Sequence, residues 1–113
     1  MEIMNKIDKL MSRVNEEDKI IVGNITICLA EYVTLVAKKE AKAQIYSRRN
    51  EEAEREAEEK YQKCVEGIKT LNSLSEEVLG EKFYEKEFER DEIEEFLQEL
   101  LNEIFKNRRI ARK

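Results

Sequence analysis

Residues 20–37 read IIVGNITICLAEYVTLVA, eighteen positions in which Glu31 is the only charge. They lie in a chain of 113 residues of which 42% are charged, so apolar surface is concentrated where it has to be buried. How this run folds decides the architecture. Its polar members Asn24 and Thr34, with Glu31 and the following Lys38, fall in one narrow stripe at helical spacing, and the rest of the circumference is apolar. Such a helix is covered from more than one side.

Three rival readings are weaker. Val22-Gly23-Asn24-Ile25 suits a two-residue hairpin, because Gly-Asn tolerates positive φ and the flanks are β-branched. No other segment offers strands to complete a sheet, and an isolated hairpin is marginal. Eighteen residues reach the lower limit for a membrane span, but Glu31 at mid-run opposes insertion by on the order of 3 kcal/mol. A membrane-surface helix needs a broad basic face that the run lacks. The run therefore reads as a core helix, with no membrane role expected.

Working outward, Ile3, Ile7, Leu10, Met11 and Val14 recur at 3–4 spacing and predict a short amphipathic helix within residues 1–14. Asn15, followed by Glu16, Glu17 and Asp18, is an N-cap with acids in the first turn, where the helix dipole favours negative charge. A long central helix over 16–47 follows. A break near Ser47–Asn50, with Asn50 as the next cap, starts a third helix over 50–74. Its Ala53, Ala57, Tyr61, Cys64, Ile68 and Leu71 form a narrow seam suited to one partner helix. The small end of this seam is expected beside Ala41 and Ala43. Ser75–Gly80 reads as a separate short helical turn, and Phe83, Tyr84 and Phe88 as a cap on one end of the core. Asp91 and Glu94 resemble a capping box for a last helix over 91–109, whose Ile93, Phe96, Leu97, Leu100, Leu101, Ile104 and Phe105 make a wide apolar stripe. A basic tail, 110–113, completes the chain.

The predicted fold is all-α: an elongated antiparallel bundle of three to four helices, built on a long central helical hairpin within a single domain. A helix over 16–47 is roughly 48 Å long at ~1.5 Å per residue, against a radius of gyration of about 13 Å for a compact chain of this length. Two shorter helices leave part of such an element uncovered, and a symmetric partner is the commonest remedy. A homodimer is expected, with Ile21, Ile25, Leu29, Tyr32 and Val36 as candidate interface. Glu31 is a candidate buried or interface acid, read first as part of a solvated strip or a polar pair and second as a ligand contact.

Composition narrows the chemistry. The chain has no histidine, which removes the commonest general base, Ser-His and Cys-His nucleophile pairs, and the Glu-x-x-His pairs of di-iron bundles. Its three glycines form no phosphate-binding loop. Carboxylate-bound magnesium stays conceivable in a Glu-rich chain, but the Glu-Glu-x-x-Glu and downstream Glu-x-x-Asp pattern of helical nucleotide pyrophosphohydrolases is missing. No cofactor is expected. Cys28 and Cys64 read as reduced thiols serving as small apolar residues, and Met1–Leu10 does not resemble a signal peptide, so a cytoplasmic setting is expected. Low histidine with abundant Lys, Glu and Ile fits a bacterial source.

The net charge of −5 argues against a surface that binds polyanions as a whole. One local cluster, Lys106, Arg108, Arg109, Arg112 and Lys113, could contact nucleic-acid phosphates, though it equally complements the last helix dipole. The expectation is a small non-enzymatic helical protein that acts by homo-oligomerisation and protein–protein interaction. Alternatives are a nucleic-acid-associated regulator using the basic arm, then a carboxylate-metal enzyme.

Overall fold

The computed structural model describes the backbone of residues 2–46 and 51–111 and the side chains of residues 2–38 and 51–106. Among the described residues there are four helices: α1 (Ile3–Met11), α2 (Glu16–Tyr46), α3 (Glu51–Leu79) and α4 (Arg90–Ala111). There is no strand among the described residues, so Val22–Ile25 is helical, as its setting between long helical patterns implies. The expected turn at Ser47–Asn50, the Asn50 cap and the apposition of Ala41 and Ala43 with Ala53 and Ala57 lie outside the described residues.

Asn15 caps α2 as expected: its Oδ1 accepts the Asp18 amide at 2.8 Å, and its carbonyl accepts the first helical bond, from Lys19. Glu16, Glu17 and Asp18 then occupy the first turn. The segment Glu16–Lys38 is long and apolar enough to cross a membrane by length and composition, with mean hydropathy 1.9 in its most apolar window. Here one side of it forms the floor of the core. Val22, Leu29, Tyr32 and Val33 are buried, and α1, α3 and α4 all pack against that side, α3 most extensively.

Three contacts fix the antiparallel register of α2 and α3. Ile25 meets Gly67, Cys28 meets Cys64, and Glu31 pairs with Lys60, so the steps run forward on one helix and backward on the other. The helices approach most tightly at Gly67, where an added Cβ would stand 2.8 Å from Ile25 Cγ2. The α3 seam is buried as read, through Tyr61, Cys64, Ile68 and Leu71. The expected end of α3 at residue 74 and the separate turn at Ser75–Gly80 are corrected. One helix continues to Leu79 and stops at Gly80, whose φ of +71° is the left-handed conformation glycine takes at a helix end. Ser75 is buried within that last turn, and its hydroxyl donates to the Glu81 carbonyl at 2.6 Å instead of opening a new helix.

The connector from α3 to α4 is folded into the core. Asn72 accepts from Tyr84 N at 2.6 Å and donates to Tyr84 O at 3.1 Å, holding that backbone as a strand neighbour would. Phe83 and Tyr84 are thereby buried edge-on against Phe96, while Phe88 is left half-exposed. The last helix begins at Arg90, one residue before the expected start. The Glu89 carbonyl accepts from Ile93 N, which places Asp91 in the first turn rather than at the cap.

At the opposite end of the chain Glu103 of α4 caps α1. Its two carboxylate oxygens accept the backbone amides of Ile3 and Met4 at 3.0 and 2.9 Å, satisfying donors that the helix itself leaves free. The radius of gyration is 15.2 Å and the extents are 46 × 36 × 25 Å, longer than a chain of this length needs and in keeping with the expected elongation.

Candidate functional site

With three helices on one side of α2, its other side is left outward. That side carries Ile20, Asn24, Ile27, Glu31, Thr34 and Lys38, which follow 4-3-4-3-4 spacing along one helical face. Asn24, Glu31 and Lys38 are exposed, so the polar stripe read from the sequence is solvated. The isoleucines interleaved with it are exposed too: Ile20 is 66% accessible and Ile27 56%, high values for side chains whose burial is worth about 2 kcal/mol each. Ile21, on the flank, is 42% accessible.

Between Ile20 and Lys38 the surface dips into a shallow groove of about 420 Å³, formed by Ile27, Ala30, Thr34 and Leu35 and edged by Glu31, Lys38 and Lys60. Lys60 of α3 donates to Glu31 at 3.2 Å across the groove rim, and this hydrogen bond raises the pKa of Lys60. Glu31 is therefore an exposed, paired acid. Two ion pairs of α3 reach across helices, to Glu31 from Lys60 and to Arg90 from Glu58.

The residues expected at the interface lie elsewhere. Leu29 and Tyr32 are buried in the chain's own core, Ile25 packs on Gly67, and Val36 lines a cleft against α4. Only Ile21 of the five is substantially exposed. The physical reason is that the apolar arc of α2 exceeds half its circumference: the neighbouring helices took the side centred on Leu29, leaving apolar surface on the side classed as polar. Ile20 and Ile27 could have been found by noticing that they share the heptad spacing of Asn24, Glu31 and Thr34.

The cleft at Val36 is a second concavity, about 230 Å³, lined by Tyr32, Val33, Glu94, Leu97, Gln98 and Leu101 as well. Burial, reinforced by the Glu94 carboxylate, pushes the Tyr32 phenol up to about 12. Next to it, Tyr32 and Tyr61 meet at a tilt with ring centres 6.0 Å apart, and the Arg90 guanidinium lies 4.4 Å above the Tyr61 ring. Arg90 also makes a bidentate pair with Glu58, at 2.7 and 3.1 Å, and a single bond to Glu94 at 3.0 Å. The hydrogen bond from Arg90 holds the Glu58 carboxyl below its ordinary range. This cluster ties α3 to α4 across an exposed seam.

Of the basic C-terminal residues, Lys106 is exposed and stands 3.8 Å from Glu2. Arg108 and Arg109 lie in the last turns of α4, beyond the described side chains, and Arg112 and Lys113 lie outside the described residues. Among the described residues no group of three or more acids or cysteines is arranged to hold a metal ion. Compared with known proteins, the chain matches no family model, no curated protein and no solved structure.

Proposed function

We propose that this chain is a non-enzymatic, cytoplasmic helical protein that works as a homodimer, joined through the outward face of α2. The observation that carries the reading is the exposure of Ile20 and Ile27 on a heptad-spaced stripe beside an open apolar groove. The stripe is also self-complementary. Ile20 and Ile27 lie one heptad apart, so an antiparallel two-fold axis near residues 23 and 24 sets each Ile20 against the partner's Ile27.

Sedimentation equilibrium of the full chain at micromolar concentration tests this. The expected mass is that of two chains, falling to one chain in Ile27→Glu, with helical circular dichroism retained because position 27 is exposed. A wild-type mass of one chain, or a dimer that survives Ile27→Glu and Ile20→Lys, overturns the proposal. So does a monomer that pellets with phosphatidylcholine vesicles and loses this on Ile27→Glu, since the face then meets lipid.

A further inference from the structure

The register that sets Ile25 on Gly67 places the two cysteines of the chain opposite one another one turn along. The sulfurs of Cys28 and Cys64 are 4.0 Å apart, and the Cys64 thiol points at the Cys28 carbonyl at 3.8 Å. Both are free thiols. A disulfide needs about 2 Å between sulfurs, and helices already drawn together at a glycine leave that gap to be closed by side-chain rotation. We infer that Cys28 and Cys64 form a redox pair, which a hydroperoxide converts to an intramolecular disulfide fastening α2 to α3.

The two thiols differ in the way a stepwise oxidation requires. Cys28 is partly accessible, whereas Cys64 is fully buried. Burial pushes the Cys64 thiol up, and the ammonium of Lys60, one turn away, opposes that shift. Cys28, the accessible thiol of the two, meets the peroxide first. Cys28 gives up its proton, its thiolate attacks one peroxide oxygen, the O–O bond breaks, and the departing hydroxide takes up that proton as water, leaving Cys28 sulfenic acid. Cys64 then loses its proton and attacks the Cys28 sulfur. The S–O bond breaks as the S–S bond forms, and the departing hydroxide takes up the proton as water. In sum, two thiols and one hydrogen peroxide give one disulfide and two waters. A thiol reductant reverses the change.

The inference does not depend on dimerisation, since both sulfurs belong to one chain. To test it, the reduced full-length protein is treated with hydrogen peroxide, then denatured, alkylated with N-ethylmaleimide and weighed by mass spectrometry. The expected product has lost two hydrogens, takes up no alkyl group, yields a linked Cys28–Cys64 peptide, and regains both reactive thiols with dithiothreitol. In Cys64→Ser, Cys28 is expected to stop at the sulfenic acid and be trapped by dimedone. Should that variant fail to fold, the wild-type peptide map still decides. Two alkylatable thiols after oxidation, a disulfide joining two chains, or Cys28 carried to sulfinic acid with Cys64 still free each overturns the inference.

Discussion

Replacing Gly67 by alanine tests whether α2 and α3 meet as closely as the structure places them. In an unobstructed helix interior the change stabilises by roughly 0.5–1 kcal/mol, because glycine loses more backbone freedom on folding. At Gly67 the new methyl would meet Ile25 Cγ2 at 2.8 Å, a branch methyl fixed close to its own backbone rather than the free end of a long chain. Relief requires the helices to part, and overpacking of this kind costs typically about 1–3 kcal/mol. The net expectation is a destabilisation of about 1 kcal/mol, or about 4 °C in melting temperature for a domain this size. Gly23 supplies the internal control: it lies in α2, and a methyl added there would have no neighbour within 4 Å, so Gly23→Ala should stabilise by about 1 kcal/mol. Urea denaturation of both variants measures the contrast. A double-mutant cycle with Ile25→Ala, which removes the offending methyl, should show coupling of about 1 kcal/mol or more, while Ile25→Val keeps both γ-carbon positions filled and should relieve little. If Gly67→Ala stabilises the protein as Gly23→Ala does, or the cycle is additive, the tight approach and the register built on it are wrong.

Two further outcomes follow from other contacts. Glu103→Ala removes the carboxylate that caps α1, and a loss of about 1–2 kcal/mol is expected from urea denaturation, with faster hydrogen exchange at Ile3 and Met4; an unchanged midpoint refutes the cap. Tyr32 ionises near pH 12 in the fold against about 10 when unfolded, so its buried neutral phenol contributes stability below pH 10 that is lost as the pH rises towards 12. Tyr32→Phe should therefore flatten the alkaline decline between pH 10 and 12 relative to wild type, measured by urea midpoints at stepped pH, and parallel curves would contradict the burial of that hydroxyl.

How far the site was legible differs by residue. Glu31 was placed in its polar stripe by spacing alone, and the structure adds only Lys60 as its partner. Of the residues expected to be free for a partner, Ile25, Leu29, Tyr32 and Val36 pack within the chain instead, because periodicity gives the angles between side chains of one helix but not the direction from which neighbours arrive. Leu29 and Tyr32 differ from Ile20 and Ile27 in position around α2 far more than in character, and burial by α1, α3 and α4 decided among them. The cysteines were invisible as a pair for a related reason. They are 36 positions apart, and a shift of one turn in the α2–α3 register would separate them.

Local chemistry, written in single residues, was determined by the sequence itself: the Asn15 cap, the Gly80 stop, the helical course of residues 20–37 and the all-α class. These depend on backbone conformational preference and on hydrogen bonds within a few residues, which act wherever the chain goes. Only the tertiary structure decided which arc of α2 is covered, that Glu103 caps a helix a hundred residues away, that Asn72 draws Phe83 and Tyr84 inward, and that Cys28 faces Cys64. Each of those depends on packing between helices, where the choice among several apolar faces is set by the shapes of side chains that meet only after folding.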